Sequence, residues 1–543
     1  MKKYLVLLGV LFFYQLEAQK GQLSGGYEGY LQYYQSDAVT RFDAPSDRLR
    51  SMNFFSANYA YDAFSAGIQY EGFLPAPFLG YNPDLKGNGL ATYFARFKKD
   101  NFDVTAGYFY DQFGSGLVFR SWEDRQLGIN NAVRGLRAKY NFDEAIELTG
   151  VFGNQRLGFK LSDATIYGAN SEINFNNLFN FDGFMAKAGF SYMARYQHIE
   201  SANPKVSDIV GNYSSRLDIS KGGFYSSFEY VYKEPDARFS NDVLLDQVLF
   251  DGNAWLWNVG YSQKGIGINA TFRRLENIQM YGQRQLEGNF YNAGIMNFVP
   301  GLTKQHDFSL ANIYVYQAQP GISFGEEKVG EIGGQIDLFY KIKRKTFFGG
   351  KYGAKIALNF SRWHGLNANF DHNKKIYRAD FAKPGELYFQ DVNVELRKKI
   401  SKNFKTVISY IDIIYNKLKL EGEGEDVKAK IGVVDMEYKL PNKKSVRLEM
   451  QHLYTEQDVK SWAAGTFEFN FNHNLGVYLM DMYNYGNPDK KIHYFNVGTT
   501  YTKNSTRLSL NYGRQRGGLL CVGGVCRYVP PSKGVTFSIS TSF

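Results

Sequence analysis

The chain has 543 residues, 44% hydrophobic and 17% aromatic, with 55 Gly, only 13 Pro and a formal net charge of +10. Mean hydropathy is −0.38, and beyond the N-terminus no apolar run approaches the ~20 residues of a spanning helix, which excludes a polytopic helical membrane protein. Plentiful aromatic and β-branched residues exclude a disordered chain, and basic residues that read as scattered along the sequence argue against nucleic-acid binding.

Residues 1–18 read as a secretory signal. Lys2 and Lys3 precede the apolar run Tyr4 to Phe13, and the small Ala18 offers a cleavage position. A buried N-terminal strand or helix is the plainer alternative. Residues 19–543 then form the mature domain, and with no cysteine near the cleavage position lipoprotein processing is not expected.

From residue 22 onward the dominant period is two. It predicts strands at 22–35, 50–62, 64–73, 91–99, 102–111, 132–142, 145–154, 164–175, 184–197, 211–220, 223–233, 254–264 and 265–275. It continues through 306–317, 330–343, 351–363, 386–399, 404–418, 427–440, 444–456, 464–473, 475–486, 492–503, 504–514 and 534–543. Ile266, Ile268, Ala270 and Phe272 alternate with Gly267, Asn269, Thr271 and Arg273, and Val446, Leu448 and Met450 alternate with Arg447, Glu449 and Gln451. Alternation places the two sets on opposite faces of a strand. A soluble sandwich also alternates, but it holds few strands per domain. Many successive segments of about ten residues match tilted bilayer crossings instead.

Aromatic clusters at segment ends (Tyr30, Tyr33 and Tyr34; Tyr108, Phe109 and Tyr110; Tyr483 and Tyr485) are expected to form interfacial girdles. Because lipid leaves no backbone group unpaired, the sheet must close. The expected fold is therefore all-β: a single large closed antiparallel transmembrane β-barrel of about 24 strands, within 22–26, in the outer membrane. The segments above are odd in number and such barrels are even, so at least one is wrong; 164–175 and 211–220 carry the weakest patterns.

Long connections are expected at 74–90, 112–131, 235–253, 276–305, 364–385 and 514–533. With both termini periplasmic, the last of these faces the cell surface. In the terminal strand Val535, Phe537, Ile539 and Phe543 form the apolar stripe, expected to contact outer-membrane lipid and to be read by the barrel-assembly machinery. The only cysteines, Cys521 and Cys526, flank Gly523-Gly524. In an exported chain a local disulfide is expected, ahead of a zinc half-site or a catalytic thiol.

The stretch Asp111 to Arg125 followed by Ala132-Val-Arg-Gly135, and the stretch Arg514 to Val529, resemble a family of large Bacteroidota-type outer-membrane β-barrels classed as a domain of unknown function. The resemblance covers the whole mature chain. It implies the fold and the address and brings no activity.

The segment 112–131 is not strand-like. Its Arg120, Trp122, Glu123, Asp124 and Arg125, with Arg134 beyond, are candidates for a constriction or plug; an outer loop with local salt bridges is the alternative. Phe73, Leu74, Phe78 and Leu79 would either pack inside the barrel or form a binding surface. The turn Glu421 to Asp426 lacks the spacing of a calcium loop, and His364, Asp371 and His372 match no zinc pattern, so no metal or other cofactor is expected. No Gly-x-Ser-x-Gly elbow or phosphate loop occurs, so a barrel hydrolase has no support from spacing. The expected function is a non-enzymatic, porin-like channel for small polar solutes with a loop constriction. The alternative is a non-enzymatic barrel subunit of an outer-membrane assembly, export or surface-attachment complex, plugged by its own loops and holding envelope protein partners. Strands that begin near Gly21 argue against a plugged nutrient transporter.

Overall fold

The computed structural model describes residues 21–240 and 243–543. The expected signal segment lies outside the described residues. The chain forms a closed antiparallel β-barrel of 24 strands in simple meander order. The first half comprises β1 (Gln22–Tyr34), β2 (Leu49–Tyr61), β3 (Phe64–Leu74), β4 (Gly87–Lys99), β5 (Phe102–Phe109), β6 (Val133–Phe142), β7 (Ile146–Leu157), β8 (Lys160–Asn174), β9 (Met185–Tyr196), β10 (Ile209–Lys221), β11 (Phe224–Ser240) and β12 (Val243–Gln263). The second half comprises β13 (Ile266–Glu276), β14 (Gly330–Ile342), β15 (Ala354–Asp371), β16 (Ile376–Lys399), β17 (Phe404–Asn416), β18 (Asp426–Lys439), β19 (Ser445–Tyr454), β20 (Trp462–Asn470), β21 (Leu475–Tyr483), β22 (His493–Lys503), β23 (Thr506–Gln515) and β24 (Ser532–Ser542).

β24 closes the barrel on β1, in a register from Gly26 opposite Ser542 to Tyr34 opposite Gly534. Gly25 and Phe543 exchange two backbone hydrogen bonds of 3.0 Å, so the last residue seals the seam. Every strand thus has two neighbours, which is the condition for backbone in hydrocarbon. The weak segments 164–175 and 211–220 are genuine strands. The surplus one is 306–317, which pairs with no strand and belongs to the long connection between β13 and β14.

The outer face carries exposed large apolar residues at alternate positions, among them Leu31, Phe55, Phe152, Phe190, Trp257 and Leu479. The apolar stripe of β24 lies on this face, with Phe537 and Phe543 exposed. The girdle expectation holds for Tyr33 and fails for its neighbour. Tyr34 turns inward and is buried, its hydroxyl accepting from the Leu79 amide at 3.0 Å. Phe109 is likewise buried against inserted loops.

Every connection of twelve or more residues lies at one end of the barrel, the loop end, and the opposite, terminus-bearing end is where β1 begins and β24 ends. Two expected loops, 235–253 and 364–385, are instead largely taken up by hairpins of β11–β12 and β15–β16 that extend the wall at the loop end.

Candidate functional site

The inner wall has two zones. Towards the terminus-bearing end it is polar and charged. Arg96 pairs with Asp103 at 2.5 Å, and Arg447 reaches Asp435, Glu449 and Glu468 at 3.0, 2.6 and 2.8 Å. Towards the loop end the same inward-facing register switches to Val133, Val151, Ile166, Met193, Val231 and Leu275, all buried. Apolar residues facing a lumen need a partner there, and inserted loops supply it.

Four connections fold in: 75–86, 110–132, 277–329 and 516–531. Phe113, Leu117, Val118 and Phe119 from the second, with Ile278, Met280 and Met296 from the third, pack on the β5–β13 wall. The third connection then crosses the lumen. Its Phe308, Leu310, Tyr314 and Tyr316 pack on Trp363, Phe389, Ile411 and Tyr415 of the opposite wall. Leu85 from the first connection joins Met52, Phe54 and Phe73.

The tip of 110–132 shows why its sequence is glycine-rich. A Cβ on Gly114, whose φ is +54°, would meet the Arg216 side chain at 2.5 Å. The backbone therefore presses directly on a buried ionic cluster, in which Ser115 donates to Glu229 at 3.1 Å and Arg216 contacts Glu172 at 2.5 Å.

Cys521 and Cys526 form a disulfide that clasps the hairpin 518–529. The hairpin is at the loop end but is folded over the lumen, with Cys526 buried. It joins three other loops. Gly301 donates to the Gly524 carbonyl at 2.7 Å, Asn292 to the Cys526 carbonyl at 2.9 Å, and Arg527 to the Gln126 carbonyl at 2.8 Å. The Arg527 guanidinium also lies 4.0 Å from the Tyr81 ring.

Five of the residues singled out from sequence lie together in the inserted segment 110–132. Arg120 stacks over Phe298 at 3.9 Å and Trp122 at 5.1 Å, and burial pulls its pKa below the ordinary value. Arg125 bridges to Glu28 of β1 at 2.9 Å and to Glu123 at 3.1 Å. Burial opposes the charge on Arg125, but these carboxylates more than offset it and raise its pKa. Asp124 accepts from the Leu127 amide at 2.8 Å and shapes the turn. Arg134 stands apart: it is exposed and shares the outward face of β6 with Leu136, because Val133 and Arg137 take the inward positions.

Sequence reasoning did not single out the ion pairs that fasten the loops and the upper wall. Arg156 meets Glu71 at 2.5 Å, Asp236 holds Arg195 at 2.5 Å and Arg284 at 2.9 Å, and Arg273 meets Glu331 at 2.5 Å. The available signal was charge on the inward register of a strand, close to a long connection.

Among the described residues no three His, Cys, Asp or Glu side chains form a metal-binding group. His364 contacts Gly385 and Arg362, and His372 contacts Glu327, so the two do not converge.

A closed 24-strand meander with loops folded into its lumen defines a large β-barrel of the outer-membrane type. The chain belongs to the family of unknown function DUF6029, whose family model matches residues 1–543. No curated protein matches it in sequence. Among solved structures it is similar to the P pilus usher (PapC) translocation pore, at 10% identity and a TM-score of 0.46, covering 96% of this chain and 99% of that one. It is also similar to a mutant of the ferric enterobactin receptor PfeA from Pseudomonas aeruginosa, at 9% identity and a TM-score of 0.42, covering 96% and 80%. A third is the outer membrane protein opdK from Pseudomonas aeruginosa, at 8% identity and a TM-score of 0.36, covering 96% and 99%. These likenesses concern the fold alone.

Proposed function

We propose that this protein is a plugged, non-enzymatic outer-membrane barrel that serves as a membrane-embedded subunit of an envelope complex, with its termini on the periplasmic side. The observation that carries this reading is the apolar, wall-to-wall contact of the connection 277–329, from Met280 and Met296 on one wall to Tyr314 and Tyr316 on the other. A passage for hydrated solutes needs a polar path. Here the loop-end half of the lumen carries the kind of close-packed apolar contact found in a domain core. Arg120, Trp122, Glu123, Asp124 and Arg125 act in this reading as the polar frame of the plug. The stripe Val535, Phe537, Ile539 and Phe543 serves both lipid contact and recognition by the assembly machinery.

A gated channel for small polar solutes is the second reading, and one observation favours it. Below the inserted loops the inner wall is lined by Asn58, Thr105, Asn496 and Asn511, which suit water. Planar-bilayer recording separates the two. The plugged barrel passes no steady current, and replacing 277–329 by a short turn opens a large ohmic pore. A steady open conductance in the intact chain would favour the channel instead.

A further inference from the structure

Three consecutive turns on the terminus-bearing rim, between β14 and β15, β16 and β17, and β18 and β19, gather the chain's positive charge. The segments 341–355, 397–405 and 439–447 together hold fifteen Lys and Arg and not one Asp or Glu. That exceeds the net +10 of the whole chain, so the remainder is net acidic. Elsewhere on the same rim the turn 141–147 carries three acidic residues and no basic one. Among the described residues only Arg397, Lys405 and Arg447 of the fifteen engage in ion pairs. Such a concentration of like charge costs self-repulsion that folding alone does not repay.

Two further features coincide with it. At the tip of the first turn Phe347 and Phe348 are 93% and 72% exposed, packed edge to face on each other. Beside them the rim opens into a recess of about 500 Å³. Lys341, Lys355, Lys399 and Lys405 line it from the wall, and Lys304 and His306 reach it from the long inserted connection. Of its four carboxylates, Glu395, Asp435 and Glu437 are engaged by Arg397, Arg447 and Lys405, and Asp307 is outnumbered by the remaining lysines, which leaves the site positive. Much of the charge thus faces the inside of the barrel mouth, where bilayer headgroups outside the wall do not reach. A soluble chain does.

We propose that this mouth is a docking site for an acidic, extended segment of an envelope protein, with Phe347 and Phe348 as its apolar anchor at the lip. Clustered charge steers such a segment, and exposed aromatic side chains supply the buried contact once it docks. The proposal rests on the terminus-bearing end facing the periplasm and is independent of whether the plug is closed, so the conductance result leaves it standing or falling on its own test.

The test uses the full chain in phosphatidylcholine nanodiscs and a fluorescent Glu-rich peptide carrying two Phe, beside the same peptide with Ser in place of Glu. Binding of the acidic peptide is expected to weaken about ten-fold in the variant Lys343→Glu, Arg344→Glu, Lys345→Glu, and to fall steeply with salt. Phe347→Ser with Phe348→Ser is expected to weaken it several-fold while leaving the salt dependence unchanged. Heat-modifiable gel mobility checks that each variant is folded; should the charge reversal not fold, the Phe variant and the salt series decide. Equal binding of the Ser peptide, or indifference to both variants, overturns the proposal. It is also overturned if the charge-reversed barrel loses retained phosphatidylglycerol in native mass spectrometry while peptide binding is unaltered, which would make the rim a lipid site.

Discussion

Arg273 of β13 and Glu331 of β14 meet at 2.5 Å with side chains 1% and 0% exposed, at the point where the long inserted connection leaves and rejoins the wall. The pair is the hub of that connection's attachment. Arg273 donates to the Pro300 carbonyl at 2.7 Å, and Glu331 accepts from the Gln319 amide at 2.8 Å and from the Tyr316 hydroxyl. Trp363 stacks under Arg273 and donates to the Leu302 carbonyl at 3.0 Å.

Breaking this pair on one side leaves a buried charge without its partner. Glu331→Ala is therefore expected to cost about 3–5 kcal/mol, and Arg273→Met with Glu331→Leu distinctly less. Unfolding in denaturant from detergent solution reads both. Equal costs for the single and double variants would show that the pair does not act as a unit.

The disulfide clasps a hairpin that holds three other loops. Cys521→Ser with Cys526→Ser is expected to cost about 2 kcal/mol, the loop-closure value for so short a ring. It should also speed protease cleavage within 516–531. Because Cys526 is buried, reductant should act on the native barrel far more slowly than on the unfolded chain. Mass-resolved alkylation measures that ratio.

Asp458, in the connection between β19 and β20, ties Tyr314 of the long loop to Lys417, at 3.0 and 2.7 Å. Burial alone would raise the Asp458 pKa, but these hydrogen bonds and the Lys417 charge outweigh it and lower the value. A depressed carboxylate stabilises the native state above its unfolded pKa and loses that contribution as the pH falls through the folded value. Hydrogen exchange in 306–317 should therefore accelerate below about pH 4. Asp458→Asn should already be fast at neutral pH and gain little on acidification.

Phe543 seals the seam by its two bonds to Gly25. Deleting it, or replacing Phe537 and Ile539 by Ser, is expected to lower the folded fraction inserted into vesicles several-fold and to lower outer-membrane yield in cells further still. Unchanged yield in cells would remove the assembly role given to this strand.

The strand faces were legible wherever lipid is the only outer neighbour, as in Ile266 to Phe272 and Val535 to Phe543. The same period misled at 306–317. An extended segment pressed against a wall also has two unlike sides, so Phe308, Leu310, Tyr314 and Tyr316 alternate without any strand partner. Tyr34 and Phe109 sit at strand ends as girdle residues do, yet face inward to hold loops. Local sequence does not distinguish lipid from an inserted loop as the partner of an aromatic ring. Arg134 was readable, since it shares parity with the outward Leu136. The basic rim was not, because its three segments are distant in sequence and only the meander makes them neighbours.

A plugged barrel requires the loop-end half of the lumen to be sealed, and the most direct measurement is sided labelling of a cysteine placed below the inserted loops, Asn58→Cys, in oriented proteoliposomes. An impermeant maleimide added at the terminus-bearing end should modify it quickly, and the same reagent added at the loop end should not. Equal rates from both sides would contradict the plug and with it the reading of this barrel as a closed subunit.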